Sequence, residues 1–330
     1  MMKIGLVGVG YLGKIHLKIL KELEHFELVG FFDDNETLAK EVEAEFGVKA
    51  FQNLEDLIEH IDVVDIVTST TSHYQCAVKS INKGKHVFIE KPVTQSVKES
   101  EHLSELRKSY GTRVQIGHVE RFNPAFIEAQ KHIDKPMFVE AHRLSEFNPR
   151  GTDVSVVMDL MIHDLDILLH IMPYEIKSIQ ANGVCVLSET PDICSCRIEF
   201  ENGAVANLTA SRMSFKSMRK MRLFQKDAYV SIDFLEKKAE LIQMNEVDKS
   251  EDKPLSVYID LEDSDRKKEI LFFQPECKPN NAIKEELIAF YEAINTKSTP
   301  VVSLTDGTKA LRIACQIDEQ ISEKLKAYVD

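Results

Sequence analysis

Apolar residues run through the first 120 positions in two rhythms that take turns. The short β-branched runs KIGLVGV, ELVGFFD, VVDIVTS, HVFIEKP and RVQIGHV read as buried strands. Between them, YLGKIHLKILKEL repeats Leu12, Ile15, Ile19, Leu20 and Leu23 at helical spacing, and ETLAKEVEAEFG stops at Gly47. NLEDLIEH, HYQCAVKSINKG and SVKESEHLSELRKSYG extend the helical series, and a short strand is expected around Ala50 and Phe51. Strict alternation of strand and helix demands crossover connections, hence a parallel sheet covered on both faces. Residues 1–120 are therefore expected to form a doubly wound α/β domain.

Beyond that point the rhythm changes. Helices are expected near Pro124 to His132 and Val157 to Ile171, followed by EIKSIQANGVCV, ICSCRIEF, AVANLTASRM, KMRLFQ, AYVSIDF, KAELIQM, LSVYIDL and EILFFQ as strands. Asn202-Gly203 is the strongest hairpin signal in the chain. Adjacent strands with short turns predict an open, mainly antiparallel sheet in a second, α+β domain spanning residues 121–330. NEVDKSEDKP reads as a polar loop, and the helical stretches AIKEELIAFYEAIN and after Thr305 are free to pack back on the first domain. One face of the sheet would need a cover, so self-association into a homodimer or homotetramer through it is expected.

Composition narrows the partners. Forty-one basic residues against 54 acidic ones give a formal net charge of −13, which disfavours nucleic acid and anionic membrane surfaces. No apolar run approaches the ~18 residues that span a bilayer. Cys76, Cys185, Cys194, Cys196, Cys277 and Cys315 are scattered, so free thiols and a cytoplasmic location are expected. Alternation would put Cys194 and Cys196 on one strand face, but no second pair accompanies them to complete a metal site.

The first strand runs into Gly8-Val9-Gly10-Tyr11-Leu12-Gly13 and then into a helix. In that position the GxGxxG pattern is the fingerprint of a dinucleotide-binding Rossmann domain. Gly8 permits the tight turn, Gly10 lets backbone approach a pyrophosphate, and Gly13 lets helix and strand pack closely. The amides and dipole at the helix start favour the diphosphate. Asp33, 20 positions after Gly13, can accept hydrogen bonds from a ribose diol. Asp34 beside it would repel a 2′-phosphate, so NAD is expected over NADP. Thr70, Ser72 and His73 follow the VVDIVTS strand and are expected along the nicotinamide side of the crevice.

Two further stretches carry polar groups that packing alone would not require. One is the strand ending in Glu90-Lys91-Pro92, at the sheet edge where doubly wound folds bind ligands. The other places Asp159, His163, Asp166 and His170 at i, i+4, i+7 and i+11, which is one helical face.

The fingerprint, the string from Gly84 to Pro92 and the Asp159-x-x-x-His163-x-x-Asp166 helix resemble the glucose–fructose oxidoreductase, inositol dehydrogenase and MocA family over nearly the whole chain. The resemblance implies an NAD(P)-linked dehydrogenase acting on a sugar or cyclitol hydroxyl, with the second domain mediating oligomers. Gly117-His118-Val119-Glu120-Arg121-Phe122-Asn123-Pro124 is similar, more narrowly, to the family's UDP-N-acetylglucosamine 3-dehydrogenases, which implies oxidation of a sugar 3-hydroxyl. Where many members carry glycines before the helical aspartate, this chain has Ser155-Val156-Val157-Met158.

The residue types suit that chemistry. A departing hydroxyl proton needs an acceptor near neutral pKa, which an imidazole supplies, and Asp159 one turn earlier can orient His163 and stabilise its imidazolium. Lys91 can donate to the alcohol oxygen, or lose its proton beside a positive nicotinamide and serve as the base itself. Arg121 and Asn123 are expected to position the substrate. Glu90 is counted with the cofactor set, as are Tyr11 and Leu12 of the glycine turn. Two other functions fit the cofactor motif: an NAD-dependent glycosidase working by transient oxidation, and a non-catalytic NAD-binding sensor.

Overall fold

The computed structural model describes residues 1–148, 154–248, 257–260 and 266–329. It contains two compact units: Met1–Phe122 with Asn281–Ile313, and Asn123–Asn280 with Ala314–Asp330.

In the first unit, β1 (Met2–Val7), β2 (Phe26–Phe32), β3 (Val63–Ile66), β4 (His86–Glu90) and β5 (Val114–Gly117) form a parallel sheet in the order β2-β1-β3-β4-β5. The crossovers are α1 (Tyr11–Glu22), α2 (Glu36–Phe46) with α3 (Leu54–Glu59), α4 (Thr70–Asn82) and α5 (Val97–Tyr110). The inner strand β3 and the strand β5 are buried on both faces, which is why they read as unbroken apolar runs rather than alternating ones. The strand expected at Ala50 and Phe51 is a single bridge from Ala50 to Phe31. Local signals set the helix ends. Asn35 and Asn53 cap α2 and α3, and Ser96 with Glu99 makes a capping box on α5. One apolar core joins Ile4, Leu6, Leu17, Leu20 and Phe31 to Leu287, Phe290 and Ile294 of the helix Ala282–Asn295, which completes this unit.

The second unit opens with α6 (Pro124–Ala129) and β6 (Phe138–Leu144), a strand whose polar positions hide it in the sequence. A single turn of π-helix, Val157–Met161, leads into α7 (Ile162–Ile171). The strands β7 (Ile176–Val184), β8 (Ile193–Phe200), β9 (Val205–Ser211), β10 (Met218–Gln225), β11 (Ala228–Asp233), β12 (Lys238–Asp248), β13 (Val257–Asp260) and β14 (Arg266–Phe273) follow. Among the described residues they form a nine-stranded sheet, β13-β14-β12-β11-β10-β6-β9-β8-β7. Only β6 and β9 pair in parallel, so the expected mainly antiparallel sheet is the one observed. β12 continues through Asp248, so the first four residues of the polar stretch NEVDKSEDKP are strand, whereas 249–254 lie outside the described residues. Asn202-Gly203 makes the β8–β9 turn with Gly203 at φ 85°.

Inward positions alternate along these strands: Val139 and Ala141, Cys194, Cys196 and Ile198, Met221 and Leu223, Val230 and Ile232 are buried. Cys194 and Cys196 thus share the core face, and all six cysteines are free thiols. On the other face Phe138, Phe224 and Tyr229 stand opposite one another across β6, β10 and β11, continued by Ile242 and Phe272. After α8 (Ala282–Asn295), α9 (Leu304–Val329) gives its first residues to the first unit and its remainder to the second. No helix among the described residues is long and apolar enough to cross a membrane.

Candidate active site

The glycine turn after β1 is built for close approach. Gly8 has φ 91°, and a Cβ there would lie 2.8 Å from the Val67 carbonyl oxygen. At Gly13 a Cβ would sit 2.1 Å from the Gly8 carbonyl oxygen, so helix and turn can pack this tightly only without a side chain. At Gly10 the same test meets nothing within 4 Å, which leaves open space above the turn. Gly10 is also the N-cap of α1, and no side chain caps that helix. Its first amides are therefore available to an anion.

Beside the turn lies a cavity of about 240 Å³ lined in part by Gly8, Gly10, Asp33, Asp34, Thr68 and Ser69. Asp33 is fixed there: Val9 N–H donates to Oδ2 at 2.8 Å and Asn35 N–H to Oδ1 at 2.9 Å. A carboxylate with about four acceptor positions keeps capacity for a diol after those two bonds. Asp34 is exposed at the same rim. Ser72 also lines the cavity, but Thr70 does not, while Thr68 and Ser69 just before it do. Tyr11 is 79% exposed, Leu12 is half-buried against the core, and Gly13 is buried. His73 is buried, with Nδ1 2.9 Å from the Pro92 carbonyl and Nε2 3.1 Å from that of Thr68. Burial holds its pKa below the ordinary value, and the ring lies between the loop after β3 and the loop after β4, with one N–H to donate to one of the two carbonyls. Alternation of apolar and polar residues gives no notice of such a tie.

At the end of β4, Glu90 is buried and Lys91 half-buried. Glu90 Oε2 accepts the Lys91 backbone N–H at 3.1 Å. Its other oxygen, Oε1, lies 3.3 Å from Nε2 of His16 on α1. The His16 Nδ1 is 2.9 Å from Oδ2 of Asp65 on β3. Glu286 of α8 completes a fully buried group in which one ligating atom each from His16, Glu90 and Glu286 lies within 4.8 Å of the others. Burial alone would raise the Glu90 pKa, yet the close His16 contact and the charges of His16 and Lys91 hold it below its ordinary value. For Glu286, burial and the Glu90 charge both push upward, well above the carboxyl range. His16 and Asp65 are absent from the sequence-predicted site. The signals were present: His16 interrupts the apolar stripe of α1, and Asp65 is an acid inside the buried run VVDIVTS.

The second unit carries the other predicted group. The helix expected over Val157 to Ile171 begins as a π-helical turn, the kind of local insertion often found at functional sites. Ser155 starts it: its Oγ accepts the Met158 N–H at 3.2 Å and donates to Asp318 Oδ2 at 2.7 Å. Asp159 and His163 are half-buried, Asp166 is buried and His170 is exposed, so the expected polar face spans every degree of burial. Asp164, off that face, is buried and gripped by Arg143 through two bonds of 3.0 and 2.8 Å.

Arg121 and Asn123 are both buried. Arg121 lies in a turn of 3-10 helix, Val119–Phe122, in the first unit. Asn123, in the second, caps α6: its Oδ1 accepts the Ala125 N–H at 3.1 Å and its Nδ2 donates to the Phe234 carbonyl at 2.9 Å. Both ends of the Asn123 amide thus bond to the protein's own backbone. Asn before Pro at a helix start is a capping signature, readable from the sequence in hindsight.

The glycine turn with no helix cap, the open space at Gly10 and the fixed Asp33 fit a dinucleotide. Comparisons agree. Residues 2–118 match the model described as "Oxidoreductase family, NAD-binding Rossmann fold", and residues 124–229 match the GFO/IDH/MocA C-terminal domain. UDP-N-acetylglucosamine 3-dehydrogenase of Acidithiobacillus ferrooxidans is 38% identical over 71% of this chain and 74% of its own length. Its solved structure superposes with a TM-score of 0.86 at 30% identity, over 97% of both chains. The scyllo-inositol 2-dehydrogenase (NAD(+)) of Bacillus subtilis is 30% identical over 64% of this chain and 68% of its own. The chain belongs to the GFO/IDH/MocA family of oxidoreductases, with a Rossmann domain for a nicotinamide cofactor.

Proposed function

We propose that the protein is an NAD-dependent dehydrogenase that oxidises a secondary hydroxyl of a sugar nucleotide, with the 3-hydroxyl of UDP-N-acetylglucosamine as the first candidate. The observation that carries the reading is the uncapped start of α1, which opens at Gly10 beside a cavity where Asp33 is already held by two backbone amides. The sugar-nucleotide assignment is supported by similarity to the Acidithiobacillus enzyme across both domains.

Gly8, Gly10 and the first amides of α1 would hold the diphosphate, and Asp33 the adenosine ribose. Asp34 at the rim would repel a 2′-phosphate, which favours NAD over NADP. The nicotinamide, when bound, supplies the hydride acceptor. The chain's own part is to orient the alcohol and take its proton. Lys91, set at the end of β4 by the bond from its N–H to Glu90, carries an amine that can donate to the alcohol oxygen or accept its proton. His163, following the π-helical turn, carries an imidazole suited to the same proton, and Asp159 precedes it by four positions. Arg121 supplies a guanidinium suited to a phosphate fork. The aromatic row Phe138, Phe224 and Tyr229, with Phe224 39% exposed and Phe272 62% exposed, is the surface through which we expect copies of the chain to associate.

The test is NADH formation with UDP-N-acetylglucosamine, other UDP-sugars, free sugars and inositols. Turnover of the UDP-sugar with net NADH release supports the reading. Turnover of inositols alone would move the substrate to a free cyclitol. Product formed with no net NADH would indicate transient oxidation instead.

A further inference from the structure

The cluster below β4 has a proton count that its geometry restricts. His16 presents both ring nitrogens to carboxylates: Nδ1 lies 2.9 Å from Asp65 Oδ2, and Nε2 lies 3.3 Å from Glu90 Oε1. The second contact is an ion-pair distance without hydrogen-bond alignment. With Asp65 and Glu90 both ionised, a neutral imidazole, which has one N–H and one lone pair, would set its lone pair against one of the two carboxylates. Only the imidazolium offers N–H on both sides. Glu286, fully buried on α8, adds a third carboxyl within 4.8 Å, and neither of its oxygens has a hydrogen-bond partner among the described residues. One cation cannot balance three buried anions, so the third acid is neutral.

We propose that His16 is a buried imidazolium acting as a positioning residue for Lys91: it joins Asp65 to Glu90, Glu90 fixes the Lys91 backbone N–H, and Glu286 is held as the neutral acid. The consequence for Lys91 rests on its place in the reaction proposed above. The charge state of the cluster does not. The groups facing His16 come from three elements: Asp65 on β3, Glu90 on β4 and Glu286 on α8, with Lys91 next to Glu90. Burial would lower the His16 pKa, but Asp65 and Glu90 carry it well above the ordinary value. Glu90 also has no room to drift. A Cβ on Gly117 would lie 2.8 Å from its carboxyl, so β5 backs it closely.

The experiment uses the full chain and three readouts. Ring nitrogen shifts in histidine-labelled protein should show His16 still doubly protonated at about pH 8, where an ordinary imidazole is neutral. Hydrogen exchange at the Lys91 amide should accelerate at least tenfold in His16→Gln. With NAD and UDP-N-acetylglucosamine, His16→Gln should lower kcat roughly tenfold to a hundredfold while both KM values stay within about threefold. If His16→Gln does not fold, Asp65→Asn gives the same readouts with less change in volume. A single-tautomer neutral His16, or unchanged Lys91 exchange in the variant, overturns the proposal whether or not the enzyme turns over. So does a stoichiometric divalent ion in the purified protein that is lost in Glu286→Gln, because the three groups would then be its ligands. Absence of turnover in the unmodified protein sinks the proposed function and leaves the first two readouts to decide the cluster.

Discussion

Buried charge is handled in opposite ways in the two units. In the second, two buried carboxylates are each matched to a guanidinium: Asp164 is gripped twice by Arg143, and Asp192 meets Arg212 at 2.8 Å. Asp192 also accepts three backbone N–H bonds from Val186, Leu187 and Ser188. Its pKa is correspondingly depressed, since those bonds and the Arg212 contact outweigh its burial. In the first unit a single imidazole faces Asp65, Glu90 and Glu286, and one acid is left over. A balanced pair is what a fold needs in order to bury polar groups safely. A surplus of acid beside the end of β4 is not required by packing, and it adjoins the backbone of Lys91. On the proposal above, the contrast separates ion pairs that hold the structure from a cluster that positions Lys91.

The largest expected effects sharpen that division on the chemical side. Lys91→Ala and His163→Ala should each lower kcat by about 10²- to 10⁴-fold, the usual range for losing an acid–base group, with NAD affinity changed little. Steady-state kinetics beside a cofactor-binding titration read the two apart, and full activity in either variant removes that residue from the mechanism. On the structural side, Arg143→Met leaves Asp164 buried without its fork. Breaking such a pair costs about 3–5 kcal/mol, so the melting temperature should fall sharply while cofactor affinity is kept. If Arg143→Met were as stable as the parent, the second unit's pairs would not be holding the fold and the comparison would break.

A smaller effect comes from Glu286→Gln, and its sign follows from linkage. Burial raises the Glu286 pKa well above 4.5, so above that value the folded state binds more protons than the unfolded one. Stability is then lost as pH climbs toward the folded-state value. His16, also raised, contributes stability that is full below its ordinary value of 6.5 and lost as pH rises through its folded-state value. The parent should therefore weaken toward alkaline pH. Glu286→Gln removes one of these contributions, so its gain in melting temperature should grow from about pH 5 to about pH 8. A pH-independent difference would mean that Glu286 is ionised in the fold, and the surplus acid would need another explanation.

How much of this was readable in advance depended on whether a residue's role was local. The alternation of rhythms gave the parallel sheet and its crossovers, and the glycine turn with Asp33 stands where the fingerprint placed it. β6 is masked in the sequence because its Glu140, His142 and Arg143 break the apolar pattern, yet Arg143 is accommodated on the buried face by its bonds to Asp164 on α7. The same holds for His16 and Asp65, whose meaning lies 49 positions apart in the chain. The π-helical turn was also invisible, since an apolar helix with regular spacing gives no sign that one turn takes an extra residue. What escaped, then, were partnerships across the chain. What could be read were rhythms along it.

Asn123 offers the finest test, because two roles compete for one side chain. Its Oδ1 caps α6 and its Nδ2 reaches the Phe234 carbonyl, so both ends of the amide are used within its own unit. Asn123→Ala should cost about 1–2 kcal/mol for the lost cap and leave the Phe234 carbonyl without that donor. Asn123→Asp restores the cap acceptor but not the donor, so it should recover part of the loss. For a residue that only ends a helix, substrate KM should stay within about twofold in both variants while the melting temperature follows the cap. If instead KM rises about tenfold in Asn123→Asp, whose cap is intact, the side chain takes part in holding substrate, and its structural bonds in the free protein must be exchanged when substrate binds.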